Sequence, residues 1–431
     1  MAQNIQRQGE GSSASAPAER ELTRGQRQTL LITAVAGHGI KHLMNAAFPV
    51  LLPEMKTALG FSNTQIGILS SARFFAGGLA NFPAGYIADT FTKLRAIVLG
   101  LSIAGIGIAY FLAGITTSFW LITIITSLMV VSISLWHPAA IGSLSRNFTS
   151  RRGFAISLHG TGGSVGEAAG PIVAGVLLGF FTWQFIFQGA IVPALILGFV
   201  IWFVLRRVPA DISQATSFGD YAVGLRTLLS NRRLLLVLLF TGGFAGAQAT
   251  MYTFLPIYLR EDVSLSPGTV GLYLSLLNLP GLASQPAMGY LSDRWGRKAV
   301  LTPAMASLGV FYLVLGVVPG TSNLLLGFEV PGGIELVATI LAAGLFFYPM
   351  MAIFLASASD LAPADVQSTT VSLVFGVATL VGFLGPLAAG VIADTYSLQA
   401  TFYFCATLVL TAAFVSAVTR WEGQRQYAAS D

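Results

Sequence analysis

All four histidines of this 431-residue chain, two of its cations and one carboxylate stand inside long apolar runs: His38, Lys41, His42, Arg73, His137, His159 and Glu167. A charge at the centre of a bilayer costs about 2.5–3.5 kcal/mol on insertion scales, so each such residue is a functional candidate. Histidine titrates near neutrality, and desolvation moves a carboxylic acid towards it. Both suit reversible proton binding. Glu167 is the sole acidic residue deep in a run and is the coupling candidate. His137 and His159 are placed either to pass protons or to stabilise helix contacts. At roughly 100° per residue, His38, Lys41, His42 and Asn45 share one arc of about 100° on a helix, a single wet face. Lys41, Arg73 and Glu167 lie at similar depth. If Glu167 neutralises one cation, the other is left for an anionic ligand. The alternative is a structural ion pair with the second cation facing water. His38 and His42 also have the i, i+4 spacing of a zinc-binding helix, but Lys41 between them opposes a metal ion, so neither a metal nor a cofactor is expected.

These groups need elements that hold them in lipid. Apolar residues make up 54% of the chain and charged residues 10%, where a soluble domain carries about 25% charged. The mean hydropathy is +0.74. This excludes a soluble enzyme and a nucleic-acid binder, and the lone Cys405 excludes an intrachain disulfide. Spanning helices need about 20 apolar residues. Such runs lie near 28–53, 62–88, 96–116, 118–143, 154–180, 183–205, 233–259, 268–291, 299–318, 335–358, 366–392 and 398–419. The expected fold is an all-α membrane protein of twelve transmembrane helices, numbered here as spans 1 to 12. A β-barrel would alternate apolar and polar residues instead.

An even number of spans puts both termini on one side. Of the 23 Lys and Arg, 19 fall on that tail side, Lys56 and Arg260 fall opposite, and Lys41 and Arg73 lie within spans. Positive charge marks the cytoplasmic face, so both termini are expected in the cytoplasm. The basic balance is then a topology signal rather than a nucleic-acid footprint. The longest interior polar stretch splits the spans six and six. The expected units are a disordered cytoplasmic tail 1–27, a six-helix bundle 28–205, a cytoplasmic linker 206–232, a second bundle 233–419 and a tail 420–431. Matching pieces recur between the halves: Gly85-Tyr86-Ile87-Ala88-Asp89 as Gly289-Tyr290-Leu291-Ser292-Asp293, Gly67 as Gly271, Pro49 as Pro256, and Gly170-Pro171 with Gly175 as Gly385-Pro386 with Gly390. Two pseudo-symmetric bundles follow, with a substrate site between them near the bilayer midplane. The second half has no charge deep in a span. It offers Gln248, Tyr252, Asn278 and Tyr348 instead.

The loop after span 8, Gly289-Tyr-Leu-Ser-Asp293-Arg294-Trp-Gly296-Arg297-Lys298, resembles the signature loop of the major facilitator superfamily at every position. The copy after span 2 keeps Gly85, Asp89, Lys93 and Arg95 but lacks the basic residue after Asp89 and the following glycine. Span 5, with Gly166-x-x-x-Gly170-Pro171-x-x-Ala174-Gly175, is similar to the proton-antiporter motif of that superfamily, with alanine in one glycine position. Gly37-His38 through Asn45, together with Leu135-Trp136-His137-Pro138, resembles the fosmidomycin-resistance type of efflux protein. The resemblance implies a central cavity lined by spans 1, 4, 7 and 10, which adds Trp136, Tyr252 and Tyr348 to the substrate-site candidates. Asp89, Asp293, Arg294, Arg297 and Lys298 are the gating candidates. Their charges can latch neighbouring helix ends by charge-assisted hydrogen bonds, or can be ordinary cytoplasmic-side charges.

No Gly-x-x-x-x-Gly-Lys-(Ser/Thr) loop is present to bind ATP, so the energy source is an ion gradient. The expectation is a monomeric, proton-coupled secondary transporter of the inner cell membrane. It works by alternating access and exports a small anionic or amphipathic compound or drug in exchange for protons. The alternative is proton-coupled import of an organic anion. A membrane-embedded enzyme or a sensor is a weaker reading, because Ser157 and His159 point apart on a helix and the tails are short.

Overall fold

The computed structural model describes residues 22–148, 151–209, 218–363 and 367–421. Apart from a helix at Phe218–Ser230, the α-helices among the described residues group into twelve stretches matching the twelve apolar runs. Spans 1 to 3 are Arg24–Leu59, Asn63–Thr90 and Arg95–Gly114. Span 5 is Arg152–Leu178. Spans 7 to 9 are Arg232–Glu261, Pro267–Trp295 and Arg297–Val317, and span 12 is Leu398–Val418. The other four are broken helices. Span 4 is Phe119–Ser134 with Trp136–Asn147, and span 6 is Trp183–Gly189 with Ile191–Leu205. Span 10 is Ile334–Phe347 with Met350–Leu361, and span 11 is Gln367–Gly382 with Leu384–Thr395. Such breaks survive in a membrane because neighbouring helices satisfy the freed backbone groups.

Among the described residues, eight of these stretches are apolar enough to cross a membrane by composition alone. Spans 1, 2, 5 and 8 are not among them. They are the polar, Gly- and Pro-rich ones, and three of them carry Lys41, Arg73 and Glu167. Helix starts follow the side chains available for capping. Thr23 with Gln26 and Ser62 with Gln65 form capping boxes at the starts of spans 1 and 2, each satisfying two otherwise orphaned N–H donors.

Three expected boundaries are corrected. Span 1 begins at Arg24, so the last residues of the expected tail 1–27 are its first turn; residues 1–21 lie outside the described ones. The linker 206–232 is not simply a connector, since Phe218–Ser230 is a helix, while 210–217 lie outside the described residues. Trp421, placed in the expected tail 420–431, is buried beside Phe240 of span 7, and its Nε1 donates to Ser416 Oγ at 3.0 Å.

Packing within and between the bundles relies on small residues, as it must where lipid removes the hydrophobic drive between helices. The repeated glycines are the contact points between bundles. Gly271 of span 8 seats against Pro171 and Gly175 of span 5, and Gly67 of span 2 seats against Pro386 and Gly390 of span 11. The two contacts are related by the same pseudo-symmetry as the sequence repeat. Hydrogen bonds reinforce them: Ser275 Oγ donates to the Ala168 carbonyl at 2.6 Å, and Asp394 accepts from the backbone N–H groups of Asn63 and Thr64 at 3.0 and 2.8 Å. Two reciprocal ion pairs join spans 1 and 7, Lys56 with Glu261 and Arg260 with Glu54, each at 2.6 Å. The ion pairs, the glycine seats and the Asp394 contacts lie on the side opposite the tails, where the two bundles are held together, and the Ser275 contact lies deeper, next to Glu167. On that same side, spans 9 and 10 are joined by an antiparallel hairpin, β1 (Asn323–Leu325) and β2 (Phe328–Val330).

Candidate functional site

A glycine ridge on span 5 decides how close span 1 can come. A Cβ built on Gly162, Gly166 or Gly170 would run into the carbonyl of Val35, Gly39 or Leu43 respectively, and one on Gly163 would run into the ring of His38. With hydrogen in those places, the two backbones touch. Glu167, next to Gly166, is thereby brought onto His42. The packing role of these glycines and the functional role of Glu167 are therefore one arrangement. Gly166→Ala is expected to cost about 1–3 kcal/mol by overpacking and to push His42 off Glu167. A lower melting temperature of the purified protein checks this, and an unchanged one would show that the ridge is not tight.

The resulting cluster is largely buried, with His42 and His137 partly exposed. Lys41 is 0% exposed, His159 1%, His38 5% and Glu167 9%. His42 Nδ1 is hydrogen-bonded to Glu167 Oε1, and His42 Nε2 lies 3.0 Å from His38 Nε2. His38 Nδ1 is 2.7 Å from the carbonyl of His159, while its ring stacks on the His159 ring at 3.9 Å. His159 Nδ1 is 3.1 Å from the carbonyl of Ala34. A carbonyl only accepts, so His38 and His159 both carry their proton on Nδ1.

Proton positions in the rest of the chain follow from the same accounting. In one assignment, His42 Nε2–H donates to the bare Nε2 of His38, and Glu167 is a carboxylic acid donating to His42 Nδ1. In a second, Glu167 is a carboxylate accepting from His42 Nδ1–H, and His38 is an imidazolium donating from Nε2; in a third, Glu167 is a carboxylate and His42 is the imidazolium, donating from both ring nitrogens. All three hold the same number of protons, one more than an ionised Glu167 with two neutral rings. They interconvert by shifting each proton across its own hydrogen bond. The geometry is that of a short proton wire with Glu167 at one end and His38 at the other.

Lys41 Nζ donates to His137 Nε2 at 2.7 Å, which fixes the His137 proton on Nδ1. Its position on the helix arc with His38 and His42 is as expected, but it is turned to span 4, not to the carboxylate. Arg73 is not part of this cluster in its recorded contacts. Its guanidinium lies over the ring of Phe48, 3.5 Å from the centroid, a cation–π seat. Arg73 Nε is buried without a hydrogen-bond partner, while the side chain as a whole is only half-buried. His38, His137 and His159 have ring nitrogens within 4.8 Å of one another. They do not form a convergent ligand set. The His38 and His159 rings are parallel within 9°, so their in-plane lone pairs do not meet at one point, and Lys41 occupies His137 Nε2.

Across from this cluster, Tyr252 donates to Asn278 Oδ1 at 2.6 Å, and Gln248 Nε2 donates to the carbonyl of Phe347 at 3.1 Å. Tyr252 and Tyr348 lie within electrostatic reach of Glu167, and the Tyr348 side chain meets that of Ser164 on span 5. Glu167 thus sits where the bundles face each other. Asn45 is half-buried on span 1. Trp136 is fully buried against Gly37, in the same packed cluster as Leu30, Ala34 and Ala140.

In the signature loop, Arg297 pairs with both Asp293 and Asp360, the latter at 2.8 Å, and so ties the end of span 8 to the end of span 10. Lys298 donates to the carbonyls of Ala417 and Thr419 at the end of span 12. Arg294 is exposed. The side chain of Asp89 lies outside the described residues. Sequence reasoning missed Phe48, Ser164 and the four residues of the reciprocal ion pairs. A signal for the last existed: Glu54 and Glu261 each follow the paired prolines Pro49 and Pro256 by the same interval, and Lys56 and Arg260 are the two basic residues on that side.

The Major Facilitator Superfamily model matches residues 35–328 and 245–430. The chain is 24% identical to the fosmidomycin resistance protein of Escherichia coli (strain K12) over 95% of its own length and 96% of that protein's. It is 23% identical to the glycerol-3-phosphate transporter of Bacillus subtilis (strain 168), covering 93% of each, and 25% identical to a probable nitrate/nitrite antiporter of Thermus thermophilus, covering 70% of this chain and 68% of that one. Among solved structures, it superposes with a TM-score of 0.75 on a bacterial homologue of the human lysosomal transporter Spinster, in an inward-facing and occupied conformation. That match covers 92% of this chain and 98% of the other at 14% identity. A fold of two six-helix bundles, repeat glycines that join the bundles and a profile matching nearly the whole chain lead to one conclusion: this multi-pass membrane protein belongs to the Major Facilitator Superfamily and is a transporter, not an enzyme.

Proposed function

We propose that the chain is a proton-coupled secondary transporter that exports a small anionic or amphipathic organic compound in exchange for protons. It works as a monomer in the inner cell membrane with both termini in the cytoplasm. The observation that carries this reading is the hydrogen-bonded chain Glu167–His42–His38, which holds a transferable proton where the bundles face each other. His38 and His42 therefore join Glu167, His137 and His159 in the coupling machinery. Arg73 remains as the substrate cation, with Tyr252, Asn278, Gln248 and Tyr348 on the opposite wall. The reciprocal ion pairs of Lys56 and Arg260 close the outer side, and alternating access requires them to part.

Exchange is favoured by the span 5 motif and by similarity to the fosmidomycin resistance protein. One observation favours the second reading, import of an organic anion with protons. Lys41 lies within electrostatic reach of Glu167, so a proton on Glu167 unmasks the Lys41 charge and draws an anion in.

Proteoliposomes containing the purified protein and an internal pH dye separate the two. Fosmidomycin, glycerol 3-phosphate and nitrate, the compounds in the names of the relatives, form the test panel. Exchange predicts that entry of a transported compound makes the interior more alkaline. Co-transport predicts acidification. Flux without any internal pH change would defeat proton coupling altogether.

A further inference from the structure

The hairpin between spans 9 and 10 has an apex that a water-facing loop does not favour. Leu326 and Gly327 are its two turn residues, with φ of 51° and 85°. Positive φ at both positions is the type I′ pattern, which selects Asn, Asp or Gly at the first of them. A leucine there is held in the left-handed region at a cost of about 1–2 kcal/mol. Leu326 is also 91% exposed, Phe328 78% and Leu324 74%. An apolar side chain is thus kept at the tip against both its backbone preference and its exposure.

The base of the hairpin is fixed firmly. Asn323 Oδ1 accepts from the backbone N–H of Ile334, the first residue of span 10, at 2.9 Å, and its Nδ2 donates to Glu335 at 2.8 Å. Ser322 Oγ accepts from Gly332 N–H at 3.2 Å, and the Tyr273 hydroxyl of span 8 donates to the carbonyl of Pro331. The tip is therefore tethered to the ends of membrane helices. Strands rise about 3.3 Å per residue, so three residues carry the apex only about 10 Å from that base. This is comparable with the headgroup layer, the difference between a core of about 30 Å and a bilayer of about 40–45 Å shared over two faces.

The register gives the hairpin two unlike faces. Leu325 pairs with Phe328, and Leu324 pairs with Glu329. Opposed residues share a face, so Leu325 and Phe328 lie on a charge-free face while Leu324 shares the other with Glu329. A two-stranded hairpin leaves its outer backbone edges unpaired, and unpaired edges are excluded from hydrocarbon. Apolar tip, short tether and polar edges agree at one depth. We propose that this hairpin is a lipid anchor: the Leu326 apex and the Leu325–Phe328 face lie in the headgroup–acyl boundary of the leaflet opposite the tails, with Glu329 towards water.

Single cysteines test this directly, because the one native cysteine, Cys405, is buried. Leu326→Cys, Phe328→Cys and Glu329→Cys are each labelled with an environment-sensitive fluorophore and reconstituted in liposomes. Labels at 326 and 328 are expected to be quenched by a nitroxide near the lipid headgroup at least about twice as strongly as the label at 329, and to be shielded from aqueous iodide. Equal quenching at all three positions would mean that the fluorophore itself seeks lipid. Iodide access at 326 and 328 matching that at 329 would place the tip in water. Shielding from both quenchers would mean that protein covers it. Each of these three results overturns the proposal.

Discussion

Glu167→Gln is expected to abolish pH-gradient-driven flux, to the level of protein-free liposomes, while leaving the protein folded and able to bind substrate. Glutamine has the shape of the protonated glutamate. Its amide can donate to His42 Nδ1 as the carboxylic acid does, so the His42–His38 chain keeps its hydrogen bonds. It cannot give the proton up. The variant is therefore locked in the proton-loaded form, and any step that needs the deprotonated form stops. Glu167→Ala is the less informative change, because it leaves His42 Nδ1 unpaired in a largely buried site, at about 1–3 kcal/mol. The two together separate coupling from stability: Glu167→Gln is expected to melt near the parent temperature, and Glu167→Ala below it. Coupled flux through Glu167→Gln at the parent rate would remove Glu167 from the mechanism, and with it the role assigned to the histidine chain.

Why these residues meet was only partly legible in the sequence. Their depth and number were readable, because an ionisable residue inside an apolar run stands out whatever its neighbours are. Helical spacing placed His38, Lys41 and His42 on one face, and that face is the one turned inward. Spacing on one helix says nothing about which neighbour each side chain meets. That was set by the Gly162–Gly166–Gly170 ridge, whose close approach delivers Glu167 to His42, and by the helix break at Leu135, which presents His137 to Lys41. Arg73 was grouped with the cluster by depth alone, whereas its contacts are with Phe48. Trp136 was named because the resemblance assigns span 4 to the cavity lining, which says nothing about the face a residue occupies, and successive helical residues diverge by roughly 100°. The fold was more legible than the site, since twelve apolar runs and a repeat of glycines and prolines need no side-chain pairing to be seen. The hairpin left no such trace, its strands being three residues each.

Arg73→Gln is expected to weaken binding of an anionic substrate more than any other single change in the site. Two cations were candidates, and their surroundings now differ. Lys41 is spoken for, with its ammonium on His137, and it lies within electrostatic reach of Glu167 without pairing to it. Arg73 has an aromatic face beneath it, and no ion pair to it is recorded among the described residues. The Phe48 ring supports the cation without neutralising it, so the guanidinium retains a full charge and donors for a carboxylate, phosphate or phosphonate, and Arg suits such oxyanions by its planar fork. A hydrogen bond to a charged group contributes about 1.5–3 kcal/mol, and each 1.4 kcal/mol is tenfold in affinity. Loss of Arg73 should then raise the dissociation constant roughly ten- to a hundredfold. Arg73→Lys should recover part of this, since the charge returns but the fork does not. Lys41→Ala should instead act on coupling, by freeing His137 and removing a cation within electrostatic reach of Glu167, with the smaller change in affinity. Equilibrium binding of a transported panel compound to the purified variants is the measurement. Binding by Arg73→Gln within about twofold of the parent protein, with Lys41→Ala the weaker binder, would return the anion site to span 1.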